Sequence, residues 1–179
     1  LTSQTNVLCN GQSTGSVTVT GNGGTPPYTY SIDGSNYFAS GTFSGLAANT
    51  YTLYVDDAKN CGPVTMSVTI TQPASALSVT PSLTDPTCFT SGSITLAVSG
   101  GTPPYTYDWA DLSGTSNPKD RSGLVAGSYS VTVYDANHCS VVQSPLTLTD
   151  PASCPGVDVC RSDNASVFDV PPDPSNTSY

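Results

Sequence analysis

The octapeptide Gly23-Gly24-Thr25-Pro26-Pro27-Tyr28-Thr29-Tyr30 occurs a second time, unchanged, as Gly100-Gly101-Thr102-Pro103-Pro104-Tyr105-Thr106-Tyr107. Around it the matches continue in order. Ser16-Val17-Thr18-Val19 returns as Ser93-Ile94-Thr95-Leu96, and Gly45-Leu46 as Gly123-Leu124. Tyr51 to Cys61 aligns with Tyr129 to Cys139, and Thr69-Ile70-Thr71-Gln72-Pro73 with Thr147-Leu148-Thr149-Asp150-Pro151. Collinear self-similarity of this kind means that one supersecondary plan is used twice. The 179 residues therefore divide into a first unit at 1–73, a second at 74–151 and a tail at 152–179. The join, Gln72-Pro73-Ala74-Ser75-Ala76, is short and proline-bearing, which predicts a semi-rigid connector.

Within each unit the apolar period is two. Tyr51, Leu53 and Val55 alternate with Thr52, Tyr54 and Asp56; Val64, Met66, Val68 and Ile70 alternate with hydroxyl side chains; Ile94, Leu96 and Val98 repeat the pattern. Such runs put apolar groups on one face of a strand. Ser and Thr supply 51 residues, a composition that favours strands and turns over helices. Short strands punctuated by Gly, Pro, Asn and Asp predict an all-β chain of two tandem antiparallel β-sandwiches, with no helix. Gly-Gly-Thr-Pro-Pro reads as a turn leading into a strand. Trp109 shares a face with Tyr105 and Tyr107 and stands where the first unit has Ile32, so it is read as a core anchor rather than a sugar platform.

The six cysteines, Cys9, Cys61, Cys88, Cys139, Cys154 and Cys160, are read as disulfides. Zinc would ask for a CxxC spacing or histidines, and His138 is the only histidine. The alignment places Cys9 opposite Cys88 and Cys61 opposite Cys139. If each unit solves the same problem internally, the bridges are Cys9–Cys61 and Cys88–Cys139, leaving Cys154–Cys160 to close a small loop in the tail. Each long bridge would be worth about 4 kcal/mol in the chain-entropy view. Disulfides imply an oxidising compartment outside the cytoplasm.

Function classes are narrowed mostly by charge and by missing constellations. Four Lys and Arg against 13 Asp and Glu give a net charge of −9, so no basic stripe can neutralise phosphates and no nucleic-acid partner is expected. No run of 18 or more apolar residues predicts a membrane span. The opening at Leu1 fits a removed signal peptide or excision from a longer chain. Catalysis finds no nucleophile and orienting acid to accompany His138, which occupies the turn position of Asn60. Asp135 and Asn137 offer weak calcium spacing, but an Asx turn accounts for them equally. No cofactor or metal is therefore expected. Asn164-Ala165-Ser166 and Asn176-Thr177-Ser178 match the N-glycosylation acceptor pattern.

The order Cys, Gly-Ser-Val-Thr-Val, Gly-Gly-Thr-Pro-Pro-Tyr-Thr-Tyr, Gly-Leu, alternating Tyr run, Asp-x-x-x-Cys resembles the SprB-type repeat of gliding Bacteroidota, from about Val7 to Pro73 and from Leu83 to Pro151. It is also similar to wider immunoglobulin-like surface modules. The resemblance implies immunoglobulin-like sandwiches in a non-enzymatic extracellular protein at the cell surface, exported by the type 9 route and used in arrays for adhesion. It implies no catalytic residues. A carbohydrate-binding or accessory module is the alternative; it would use aromatics such as Tyr37, Tyr54 or Tyr134 on surface glycans.

One asymmetry between the units points to self-assembly. Counting back from the first cysteine, Leu1 matches Thr80, so the first unit has no counterpart of Leu77-Ser78-Val79 and a sheet edge or groove should stand open. The tail carries Val157-Asp158-Val159 and Val167-Phe168-Asp169-Val170. Val157, Val159, Val167, Phe168 and Val170 are the candidate assembly residues, by which one subunit's tail would complete the next by strand addition, head to tail, as a homopolymer. The competing expectation is that a preceding repeat of a longer array supplies the missing strand.

Overall fold

The computed structural model describes residues 1–114 and 117–152. They form strands β1 (Ser3–Thr5), β2 (Gly15–Thr18), β3 (Thr29–Ser31), β4 (Thr42–Leu46), β5 (Asn49–Asp56) and β6 (Val64–Ile70). The second set is β7 (Ser78–Thr84), β8 (Gly92–Ser99), β9 (Thr106–Trp109), β10 (Arg121–Leu124), β11 (Gly127–Tyr134) and β12 (Ser140–Leu148). No helix occurs among the described residues. The chain is all-β, as the period-two alternation predicts.

The two sets obey one topology. In the first, the sheets are β1-β2-β4 and β3-β5-β6; in the second, β7-β8-β10 and β9-β11-β12. All pairings are antiparallel. Each pair of sheets closes over its own apolar filling, which is the immunoglobulin-like sandwich arrangement. Val17, Val19, Tyr30, Leu53 and Val68 fill the first. Ile94, Leu96, Val131, Val133, Leu146 and Leu148 surround Trp109 in the second. Trp109 is 0% exposed, and its indole N–H donates to the Pro118 carbonyl at 2.8 Å, so it is a core anchor with its one polar atom satisfied. Each unit also ties a tyrosine back by four residues: Tyr51 Oη donates to Ala47 O at 3.0 Å and Tyr129 Oη to Val125 O at 2.9 Å. This is the corner hydrogen bond typical of such sandwiches.

Each unit has two distinguishable ends. The upper end carries the Gly-Gly-Thr-Pro-Pro turn and the turn of the long hairpin, β5–β6 or β11–β12. The lower end carries the loop after the first strand and the exit of the last. Val7 N donates to Thr71 O at 2.9 Å, and Thr71 N to Asn6 Oδ1 at 3.0 Å, which fixes Cys9 at the lower end beside the exit of β6. Cys61 lies beyond Val64, at the upper tip of the hairpin in which Val55 faces Val64 and Asn49 faces Ile70.

These positions overturn two of the bridges expected from sequence. Cys9 bonds to Cys139, with a Cα–Cα separation of 5.7 Å and 130 residues between them in sequence. Cys9–Cys61 does not form, because the length of β6, about 23 Å at strand rise, lies between the two, against the 4.4–6.8 Å a disulfide spans. Cys88–Cys139 fails for the same reason: Cys88 follows β7 at the lower end, where Thr149 N donates to Asp85 Oδ1 at 2.8 Å, and Cys139 precedes β12 at the upper end. Cys88 is itself disulfide-bonded, and Cys61 is a free, exposed thiol. The expected Cys154–Cys160 bridge, the assembly residues Val157, Val159, Val167, Phe168 and Val170, and both glycosylation motifs lie outside the described residues.

Candidate functional site

The junction between the units is built by local rules that operate in both. At each upper end an aspartate holds two turns together. Asp135 Oδ2 accepts from Thr102 N at 2.9 Å, while its Oδ1 accepts from Asn137 N and Cys139 N, both at 2.9 Å. Asp57 does the same more sparely, accepting from Thr25 N at 2.8 Å and Lys59 N at 3.0 Å. Ala136 N to Thr102 O at 2.8 Å and Ala58 N to Thr25 O at 2.9 Å complete the pairing. The residue before each upper cysteine is left-handed, with φ of 61° at His138 and 51° at Asn60. Asp135 is thus an Asx-type staple whose oxygens are taken by backbone amides, and His138 is an exposed turn residue. Among the described residues no cluster of His, Cys, Asp and Glu could hold a metal ion.

Onto the upper end of the second unit sits the lower end of the first. Besides the Cys9–Cys139 bond, Asn137 Nδ2 donates across the join to Leu8 O at 3.0 Å. Below it, Asn10 Nδ2 donates to Pro73 O at 2.7 Å and Gly11 N to Gln72 Oε1 at 2.8 Å. The connector is bound in its turn, since Gly101 N donates to Ser75 O at 3.0 Å. Leu77 and Val79 are buried beyond it. The Cys9–Cys139 bond and the Asn137–Leu8 hydrogen bond thus cross the join, while Asn10 and Gly11 hold the start of the connector against the lower end of the first unit.

The corresponding upper end of the first unit is open. A cavity of 390 Å³ lies there, lined among others by Leu1, Val19, Gly21, Gly23, Val55, Cys61 and Met66. Apolar side chains show the consequence. Val133 is 0% exposed in the second unit, while its counterpart Val55 is only half-buried. Val64, opposite Val55 in the ladder, is 74% exposed, whereas Val141, opposite Val133, packs on the second core. The sequence did not reveal that Cys61, which lines this cavity, is a free thiol. The signal was available: the alternating runs at Tyr51–Val55 and Val64–Ile70 flank Cys61 and put it at a hairpin tip.

The remaining polar groups serve local structure. Backbone N–H donation from Asn36, then the Asn36 amide and Ser35 N–H, hold Asp33 well below the ordinary carboxylate range. The Arg121 guanidinium lowers Asp111, and the Lys119 ammonium with Leu96 N–H lowers Asp120. Arg121 also lies over the Trp109 ring at 5.0 Å. Tyr37, Tyr54 and Tyr134 are half-buried, and the Tyr54 ring lies against Gly34.

Comparison with known proteins gives two likenesses. The family model of the SprB repeat matches the chain twice, over residues 1–36 and 80–114, one stretch in each unit. No curated protein matches. Among solved structures, a similar chain is the C-terminal 282-residue fragment of intimin, crystallised in complex with the intimin-binding domain of the translocated intimin receptor (Tir). The identity is 13% and the TM-score 0.42; the match covers 82% of this chain and 64% of that one, so the chain spans less than two thirds of the fragment's length.

Proposed function

We propose that this chain is a non-enzymatic, extracellular adhesin-type repeat module, a structural subunit of a cell-surface filament or adhesin that joins head to tail by strand donation from its tail. The observation that carries the reading is the junction itself. Two copies of one sandwich are stacked lower end on upper end and locked by Cys9–Cys139, which is how an array is built unit by unit. The two matches to the SprB repeat support a surface role. The polar residues support a non-enzymatic one, since Asp135 and His138 serve the turn that presents Cys139. Strand donation is supported by the alternating segments Val157-Asp158-Val159 and Val167-Phe168-Asp169-Val170 of the tail. Because donor and acceptor surfaces differ, such contacts are heterologous and extend into an open filament when the rotation does not close.

Electron microscopy of the purified, oxidised chain tests this. Filaments are expected from the full chain, and monomers or short oligomers after deletion of Ser162 to Tyr179. Filaments from the truncated chain that match those of the full one would remove the tail segment Val167–Val170 as donor, and monomers under all conditions would remove self-assembly.

A further inference from the structure

The stretches that finish the two units run in step until one residue. Thr69-Ile70-Thr71-Gln72-Pro73-Ala74-Ser75-Ala76 is matched by Thr147-Leu148-Thr149-Asp150-Pro151-Ala152-Ser153-Cys154. The geometry at the lower end is shared as well. Thr71 N donates to Asn6 Oδ1 at 3.0 Å, and Thr149 N to Asp85 Oδ1 at 2.8 Å. Cys9 follows Asn6 by three residues, and Cys88 follows Asp85 by three. In the first unit the stretch then turns back along the cysteine loop. Asn10 Nδ2 donates to Pro73 O at 2.7 Å, and Cys9 and Ala76 line one cavity at the join. The turn thus carries the residue at the position of Ala76 to the cysteine that follows the first strand.

Cysteine arithmetic narrows what Cys88 can reach. Cys88 is disulfide-bonded, Cys9 and Cys139 are bonded to each other, and Cys61 is a free thiol. Of the six cysteines, only Cys154 and Cys160 remain. We propose that Cys88 is bonded to Cys154, so that the chain closes the lower end of the second unit with its own exit segment and the disulfide-linked stack ends there. Cys154 stands at the position of Ala76, which the shared turn brings to the lower-end cysteine, whereas Cys160 lies six residues further along. The pairing takes the place of the Cys154–Cys160 bridge expected from sequence and leaves Cys160 as a second thiol.

The bond does for the exit segment what the second unit does for the connector. Gly101 N donates to Ser75 O at 3.0 Å, and a Cβ on Gly100 would run into the Ala76 carbonyl, so the connector is packed in place by the neighbouring unit. The exit segment is held by Cys88 instead. Cys9 reaches forward to Cys139 of the next unit, while Cys88 turns back onto its own chain, and no further unit can be locked at this end as the second is locked to the first. Stacked repeat proteins close their terminal units with caps for the same reason. Forming the Sγ–Sγ bond removes one proton and one electron from each thiol. A small-molecule or protein disulfide takes both electrons and both protons and leaves as two thiols. The closure needs no second copy, so it stands independently of the assembly reading.

Peptide mapping of the full, oxidised chain supplies the test. Thiols are alkylated in denaturant without reductant. An endoproteinase that cuts before aspartate then puts every cysteine on its own peptide, with Asp158 parting Cys154 from Cys160. The expected product is a disulfide pair of peptides 85–107 and 150–157, with the alkyl label complete on Cys61 and Cys160. The same pair should persist undiminished in C160S. A pair joining Cys88 to Cys160, with the label on Cys154, overturns the assignment. So does a label on Cys88 with Cys154 bonded to Cys160, and so does loss of the Cys88–Cys154 pair in C160S. Each readout comes from single chains, so a failure here leaves the assembly reading untouched, and monomers under the microscope leave this closure untouched.

Discussion

Asp135 shows how much one side chain decides. It is 3% exposed and accepts three backbone N–H groups from both turns of the upper end. Asp135→Ala leaves those donors unpaired, so denaturant unfolding of the second unit should lose about 3 kcal/mol. Asp57→Ala, at a half-buried site with two donors, should cost the first unit about 1 kcal/mol. The lower ends differ in a way that pH reads out. Backbone N–H donation from Thr149, joined by its hydroxyl, lowers the Asp85 carboxyl below its ordinary value. Folding therefore favours the charged form, and the clamp's contribution is complete above the unfolded carboxylate value and lost as pH falls through the lower folded one. In the first unit the same bond goes to Asn6, which does not titrate. Acidification should deprotect the Thr149 amide in hydrogen exchange before the Thr71 amide, and D85N should abolish the difference. Of these residues, sequence alone marked Asp135 and His138 as turn-formers and Trp109 as core, because type and spacing suffice for local roles. It could not show that Asp135 reaches across to Thr102, since that contact exists only once two distant turns meet.

At the scale of elements, the period-two runs gave the strands and the repeat gave their common plan. The pairing of cysteines was the failure. Alignment shows which positions are equivalent, but two equivalent positions satisfy symmetry equally well within a unit or between successive units. Strand length breaks the tie, since a hairpin of seven-residue strands keeps its tip far from its base. β1 is three residues long and β7 seven, so the two units share a plan while differing in the length of their first strand. Because each sandwich closes on its own filling, their stabilities should separate. Leu53→Ala should lower the first unit's unfolding free energy by about 3 kcal/mol, and Leu96→Ala the second unit's, with calorimetry showing the other transition unmoved.

For the whole molecule the Cys9–Cys139 bond sets relative placement rather than the fold of either part. Reduction should leave the strand signature in circular dichroism intact while small-angle scattering records a wider spread of inter-unit orientations. The same bond has a mechanical meaning. A pull applied between Leu1 and the C-terminal end travels from Cys9 straight into Cys139, so the 130-residue span between them is shielded from tension. Load falls instead on β1 and on β12, whose Leu146 and Leu148 belong to the second core, so the last strand is the part of the second sandwich that a pull can peel away. Cutting that bond in a force-spectroscopy experiment should release about 450 Å of hidden length, the difference between a tether that holds its reach under shear and one that pays out.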